Sequence, residues 1–104
     1  MQAKRELLEE TGYVSGNWEL LLEDEPVSKM DWKVYTYIAR NCVYEQEQQL
    51  DGGEKIDVNL VSFDDLVALA DNPEFHGRSI KEILLRAVYS EQEREKLSAR
   101  IFGV

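Results

Sequence analysis

Residues 32–42 constrain the fold more than any other stretch. Trp32, Val34, Thr36 and Ile38 fall on one face of an extended chain, and Tyr35, Tyr37 and Ala39 on the other. Apolar side chains on both faces predict a central strand of a sheet covered from two sides. Residues 18–22 predict a second strand, ended by Glu23-Asp24-Glu25 and Pro26, with a loop over 26–31. Further on, Ile56, Val58 and Leu60 alternate with Asp57 and Asn59, which predicts a half-exposed strand. Before it, residues 45–49 are polar and Asp51-Gly52-Gly53 marks a turn.

Helices frame these strands. Ala3 and Leu7, with Leu8 beside them, form a narrow apolar face, and Gly12 stands where a left-handed C-terminal cap is wanted. Nothing in front of this helix signals an N-terminal cap; the chain starts inside it. Ser62-Phe63-Asp64-Asp65 has capping-box spacing, with Asp replacing the usual Glu, and opens a short helix that stops at Asn72-Pro73. Ser79-Ile80-Lys81-Glu82 is a full box, followed by Ile80, Ile83, Leu84 and Ala87 on one face. Ser90-Glu91-Gln92-Glu93 opens a last helix toward Arg100. Helix, strands, then helices describe an α+β layered domain.

At 104 residues the chain supports a single domain, burying about 65% of its unfolded surface. No apolar run approaches the roughly 20 residues of a membrane helix. The opening six residues hold a basic pair with no apolar stretch behind it, unlike a signal peptide. One cysteine, Cys42, has no internal partner for a disulfide and reads as a small buried hydrophobe. A reducing, cytoplasmic compartment is expected. The net charge of −9 argues against a nucleic-acid binder, which needs a basic surface to release counterions. An acidic protein that handles phosphates needs a divalent cation between its carboxylates and the substrate; surplus acid also serves simple solubility.

The opening helix concentrates acid. Glu6 and Glu10 lie four apart and share a face, with Glu9 adjacent. Like charges at this spacing cost about a few tenths of a kcal/mol per pair. Arg5 can pair with Glu9, while Glu6 and Glu10 have only Gln2 or Lys4 within reach. A hard divalent cation would resolve the conflict, since Mg²⁺ takes one or two carboxylates together with phosphate oxygens and water. By spacing alone a solvated acidic helix face accounts for the same pattern.

The full string Arg5-Glu6-Leu7-Leu8-Glu9-Glu10-Thr11-Gly12-Tyr13 resembles the second half of the Nudix box, G-x5-E-x7-R-E-U-x-E-E-x-G-U, where U is bulky and apolar. Tyr13 stands for the usual aliphatic residue. The resemblance implies a loop-helix-loop, with Glu6 and Glu10 closest to a metal, Glu9 beside them as a catalytic carboxylate, and Arg5 orienting a helix acid. It implies the C-terminal portion of a Nudix-type α/β/α sandwich with a mixed sheet. The family's leading Gly and first Glu would lie before Met1. On that reading residues 1–104 are one truncated domain, with the half-box at 3–13 and a helical part at 62–104, and this chain alone is expected to be weakly active or inactive.

Residues 50–58 resemble the late loop and strand of the ADP-ribose pyrophosphatase branch, in which an acidic loop residue approaches the attacking water. Glu54 takes that position, with Glu45, Glu47 and Asp51 as neighbouring alternatives. The implied activity is Mg²⁺-dependent hydrolysis of a nucleoside diphosphate derivative, ADP-ribose or a nucleotide sugar, with Mn²⁺ able to substitute. The implied partner is that small molecule, with no nucleic acid or membrane; the branch leaves room for a homodimer. A reading from another class is a non-catalytic Nudix-derived binding module in which the acidic helix survives as scaffold. His76 reads as a surface-loop histidine, and the strand aromatics read as core before they read as a base-stacking platform.

Overall fold

The computed structural model describes residues 2–24 and 33–103. Trp32 and the loop expected over 26–31 lie outside the described residues. The chain forms two compact units, Met1–Asn59 and Leu60–Val104, and the mixture of helices with small antiparallel sheets is the α+β class expected of it.

In the first unit, helix α1 (Gln2–Thr11) runs into strand β1 (Tyr13–Val14), then β2 (Asn17–Asp24), β3 (Val34–Arg40) and β4 (Val43–Tyr44). β2 and β3 form an antiparallel pair with Trp18 opposite Ala39 and Leu20 opposite Tyr37, and the register slips between Leu20 and Leu22. Trp18 and Tyr37 meet edge to face at 6.1 Å between centroids. The Trp18 indole N–H donates to the Ser15 carbonyl at 2.7 Å, so its polar edge is satisfied. Arg40 forms an ion pair with Glu19 across the ribbon and donates to Asn17 Oδ1 at 3.2 Å.

β3 differs from the central strand that its alternation predicts. Among the described residues it pairs with β2 alone. Ile38 is buried, but Val34 is 37% and Tyr35 49% exposed. Side-chain pattern sets which faces a strand can bury, whereas ladder partners decide how much of them is covered, and a two-stranded ribbon covers little.

Two further expectations are corrected. Residues 56–60 form no strand. Alternation supplies no ladder partner, and the Ile56 carbonyl is taken at 2.9 Å by the Gln48 side chain, while Leu60 stands 82% exposed. Cys42 is exposed, not buried. It follows the turn at Asn41, whose left-handed φ of 55° carries the chain off the end of β3, and its thiol donates to the Ala39 carbonyl at 3.4 Å.

The second unit is helical. α2 (Phe63–Ala68) continues into a 3-10 turn (Leu69–Asp71), followed by α3 (Arg78–Tyr89) and α4 (Glu91–Phe102). Val67, Ala70, Leu84, Ala87 and Leu97 make its buried cluster, with Leu84 wholly buried. Ile80 and Ile83, read from sequence onto the same helix face as Leu84 and Ala87, pack against that cluster. Ser62 caps α2 by accepting from the Asp65 N–H at 3.1 Å. Ser90 caps α4 by accepting from the Glu93 N–H at 3.3 Å. α3 begins earlier than the Ser79 box predicts, with Gly77 at its N-cap. Phe63 meets Phe102 edge to face at 6.0 Å, and the Arg94 guanidinium lies 5.2 Å over the Phe63 ring while pairing with Asp64. No helix of the described residues is long and apolar enough to cross a membrane.

Candidate active site

α1 carries the acids, and its C-terminal end is fixed by residues far along the chain. A helix leaves its last carbonyls without intrahelical donors. Here the Glu9 carbonyl accepts from the Gln49 N–H at 2.7 Å, and the Glu10 carbonyl accepts from Gln48 Nε2 at 2.6 Å. The Thr11 hydroxyl donates to the Leu7 carbonyl at 2.6 Å and accepts from the Tyr13 N–H at 3.1 Å.

Gly12 then turns the chain at φ 80°, and its carbonyl accepts from the Glu45 N–H at 2.8 Å and the Gln46 N–H at 3.3 Å. A side chain here would meet the Gln46 carbonyl at 2.0 Å. Both the left-handed turn and this close approach require glycine. Beyond it β1 pairs with β4, Tyr13 opposite Tyr44 and Val14 opposite Val43, with the tyrosine rings edge to face at 5.6 Å. The segment around residues 43–49 therefore closes over the exit of the acidic helix.

The acids themselves are differently engaged. Gln2 Nε2 donates to Glu6 Oε1 at 2.9 Å, one helical turn away. Arg5 approaches Glu9 at 3.9 Å between Nε and Oε1. Both of those side chains are largely in water, 66% and 45% exposed, so the pair contributes little to stability. Glu10 has neither hydrogen-bond nor ion-pair partner for its carboxylate among the described residues, although its backbone is held firmly by Gln48.

Glu54 occupies an exposed turn: its N–H donates to the Asp51 carbonyl at 3.0 Å, and its Oε1 accepts from the Asp51 N–H at 2.8 Å. Gly53 supplies the left-handed residue that the turn needs, at φ 91°. Glu45, Glu47 and Asp51, the neighbouring alternatives, are exposed, as is His76 in its loop.

Among the described residues no three His, Cys, Asp or Glu side chains converge as a ready metal cage. The donor set nevertheless suits a hard divalent cation. Mg²⁺ is commonly held by one or two carboxylates and completes its shell with phosphate oxygens and water. Glu6 and Glu10, four apart on α1, are the two carboxylates that would hold such an ion, and Glu10 has no competing partner among the described residues.

The NUDIX domain model matches residues 3–83, which covers α1, the four strands, α2 and the start of α3. The chain belongs to the Nudix family. Membership places it among pyrophosphohydrolases acting on nucleoside diphosphate derivatives, enzymes that generally use a divalent metal ion. A comparison with curated proteins found no match.

Gln48 is the residue of this region that sequence reasoning missed. It sits within a polar run that carries no local signal, and its partner on α1 is 38 positions away.

Proposed function

We propose that the Nudix protein to which these residues belong hydrolyses the diphosphate bond of a nucleoside diphosphate derivative with Mg²⁺, that ADP-ribose or a nucleotide sugar is the substrate, and that residues 1–104 by themselves turn over weakly or not at all. The observation that carries the reading is α1, where Glu6, Glu9 and Glu10 gather on a single short helix that ends at the left-handed Gly12. The substrate class is supported by the likeness of residues 50–58 to the ADP-ribose pyrophosphatase branch.

In this reading Glu6 and Glu10 hold the cation, and Mn²⁺ can replace Mg²⁺. When bound, the cation neutralises diphosphate charge and acidifies a water. Arg5 keeps Glu9 oriented toward the same region. Glu54 accepts the proton of the attacking water; with Oε1 held by the Asp51 N–H, its second oxygen is the acceptor. The water oxygen forms a new bond to phosphorus as the bond to the bridging oxygen breaks. For ADP-ribose the products are a nucleoside monophosphate and ribose 5-phosphate.

Calorimetry with Mg²⁺ and Mn²⁺ on the chain and on Glu6→Gln and Glu10→Gln tests the metal assignment, and a panel of nucleoside diphosphate derivatives with and without Mg²⁺ tests the substrate. Metal uptake that is lost in the two variants supports the reading. Uptake indifferent to both substitutions overturns it.

A further inference from the structure

We infer that Gln48 is a positioning residue that sets the Glu54 loop against the acidic helix. The inference rests on the proposed reading of Glu54 and of the α1 carboxylates. It starts from one side chain with two anchor points: Gln48 Nε2 donates to the Glu10 carbonyl at 2.6 Å and to the Ile56 carbonyl at 2.9 Å. An amide nitrogen has two hydrogens, and both are used here. One anchor is the backbone of a proposed metal-holding residue. The other lies two residues past Glu54, where the chain leaves the turn.

The neighbouring bond from the Gln49 N–H to the Glu9 carbonyl, 2.7 Å, fixes the near side of the same loop. Residues 50–55 are therefore gripped at both ends by the last turn of α1, on one side through backbone and on the other through Gln48. The loop's internal bonds, between Asp51 and Glu54, hold its shape but do not tie it to the helix. Residues 56–60 form no strand that could do so. Gln48 is the described side chain that joins the far end of the loop to α1.

The chemistry required at position 48 is donation alone, since both partners are carbonyl oxygens. Gln48→Ala removes both bonds. Gln48→Glu keeps the length but turns carboxylate oxygens toward two carbonyls, which repel them. Gln48→Lys supplies donors on a longer stem, and its positive charge suits a helix C-terminus. A residue that merely filled space would be served as well by Glu as by Gln.

Two measurements on the full chain test the inference. In amide hydrogen exchange, Gln48→Ala and Gln48→Glu should speed exchange at Gln49 and Glu54 by about tenfold, with Gln48→Lys restoring the unsubstituted rate, as expected for local opening on loss of two hydrogen bonds. In NMR with added Mn²⁺ as the probe, the unsubstituted chain should show paramagnetic broadening at residues 6–12 and at 51–56. Gln48→Ala should keep the first and weaken the second.

Unchanged exchange and unchanged broadening at 51–56 in Gln48→Ala would overturn the role of Gln48 while leaving the metal assignment standing. Absence of broadening at residues 6–12 in the unsubstituted chain would remove the metal reading itself, and the proposed role of Gln48 with it.

Discussion

The α-carbon of Gly12 lies so close to the Gln46 carbonyl that a side chain at position 12 would meet that oxygen at 2.0 Å. The contact is backbone on backbone, so neither partner can rotate away. The helix that carries the acids and the segment that caps it are thus joined at a point where only hydrogen fits.

Gly12→Ala is accordingly expected to destabilise the protein through two causes. An L-residue in the left-handed region costs about 1–2 kcal/mol, and displacement of the Gln46 carbonyl adds to it by disturbing the bonds that Glu45 and Gln46 make to the Gly12 carbonyl. Urea denaturation of the variant should show a loss larger than the backbone cost alone. A midpoint equal to that of the unsubstituted chain would mean that the two segments do not approach as described.

Glu10→Gln separates chemistry from folding. The Glu10 backbone is held by Gln48, and its carboxylate makes no bond to another described residue, so the substitution removes a charge without removing a contact. Circular dichroism should be unchanged, while uptake of Mg²⁺ or Mn²⁺ measured by calorimetry should be lost. Metal uptake in this variant equal to that of the unsubstituted chain would take Glu10 out of the metal site.

Ser90 serves two helices at once. Its N–H donates to the Arg86 carbonyl at 2.9 Å and ends α3, while its hydroxyl accepts from the Glu93 N–H and begins α4. Ser90→Ala keeps the first bond and loses the second, for an expected cost of about 1 kcal/mol. Ser90→Gly should cost only about a few tenths as a cap. For comparison, Leu84→Ala in the fully buried centre of the same unit should cost about 2–5 kcal/mol. Thermal or urea unfolding that ranks Ser90→Ala with Leu84→Ala would show that Ser90 does more than cap.

Those caps were legible in the sequence because the chemistry is local: Ser62 and Ser90 reach an N–H three residues on, and Gly12 answers a turn demanded by its own position. The acids of α1 were legible for the same reason. What escaped is what depends on distant partners. The alternation over 56–60 looks like a strand, yet its realisation needs a free edge, and a side chain elsewhere claims the Ile56 carbonyl. The two-residue pairing of β1 with β4 follows from the close approach at Gly12, which no local pattern announces. Gln48, set among other polar residues, shows its part only once α1 and the loop are placed on either side of it.

Lys33 offers a test of the hairpin's charges by pH. Its ammonium lies 3.2 Å from Glu23, and the hydrogen bond and negative charge of that carboxylate raise its pKa above the ordinary value of 10.5. A raised lysine favours the charged form in the folded state. Its contribution is therefore fully present below the ordinary value, unchanged across neutral pH, and lost as pH climbs through the raised folded value. NMR titration of the Lys33 side chain should show the upward displacement, and Glu23→Gln should bring the midpoint back toward 10.5. Because the pair is exposed to solvent, added salt should shrink the displacement as well. A midpoint indifferent to both Glu23→Gln and salt would mean that the two strands do not bring these charges together in solution.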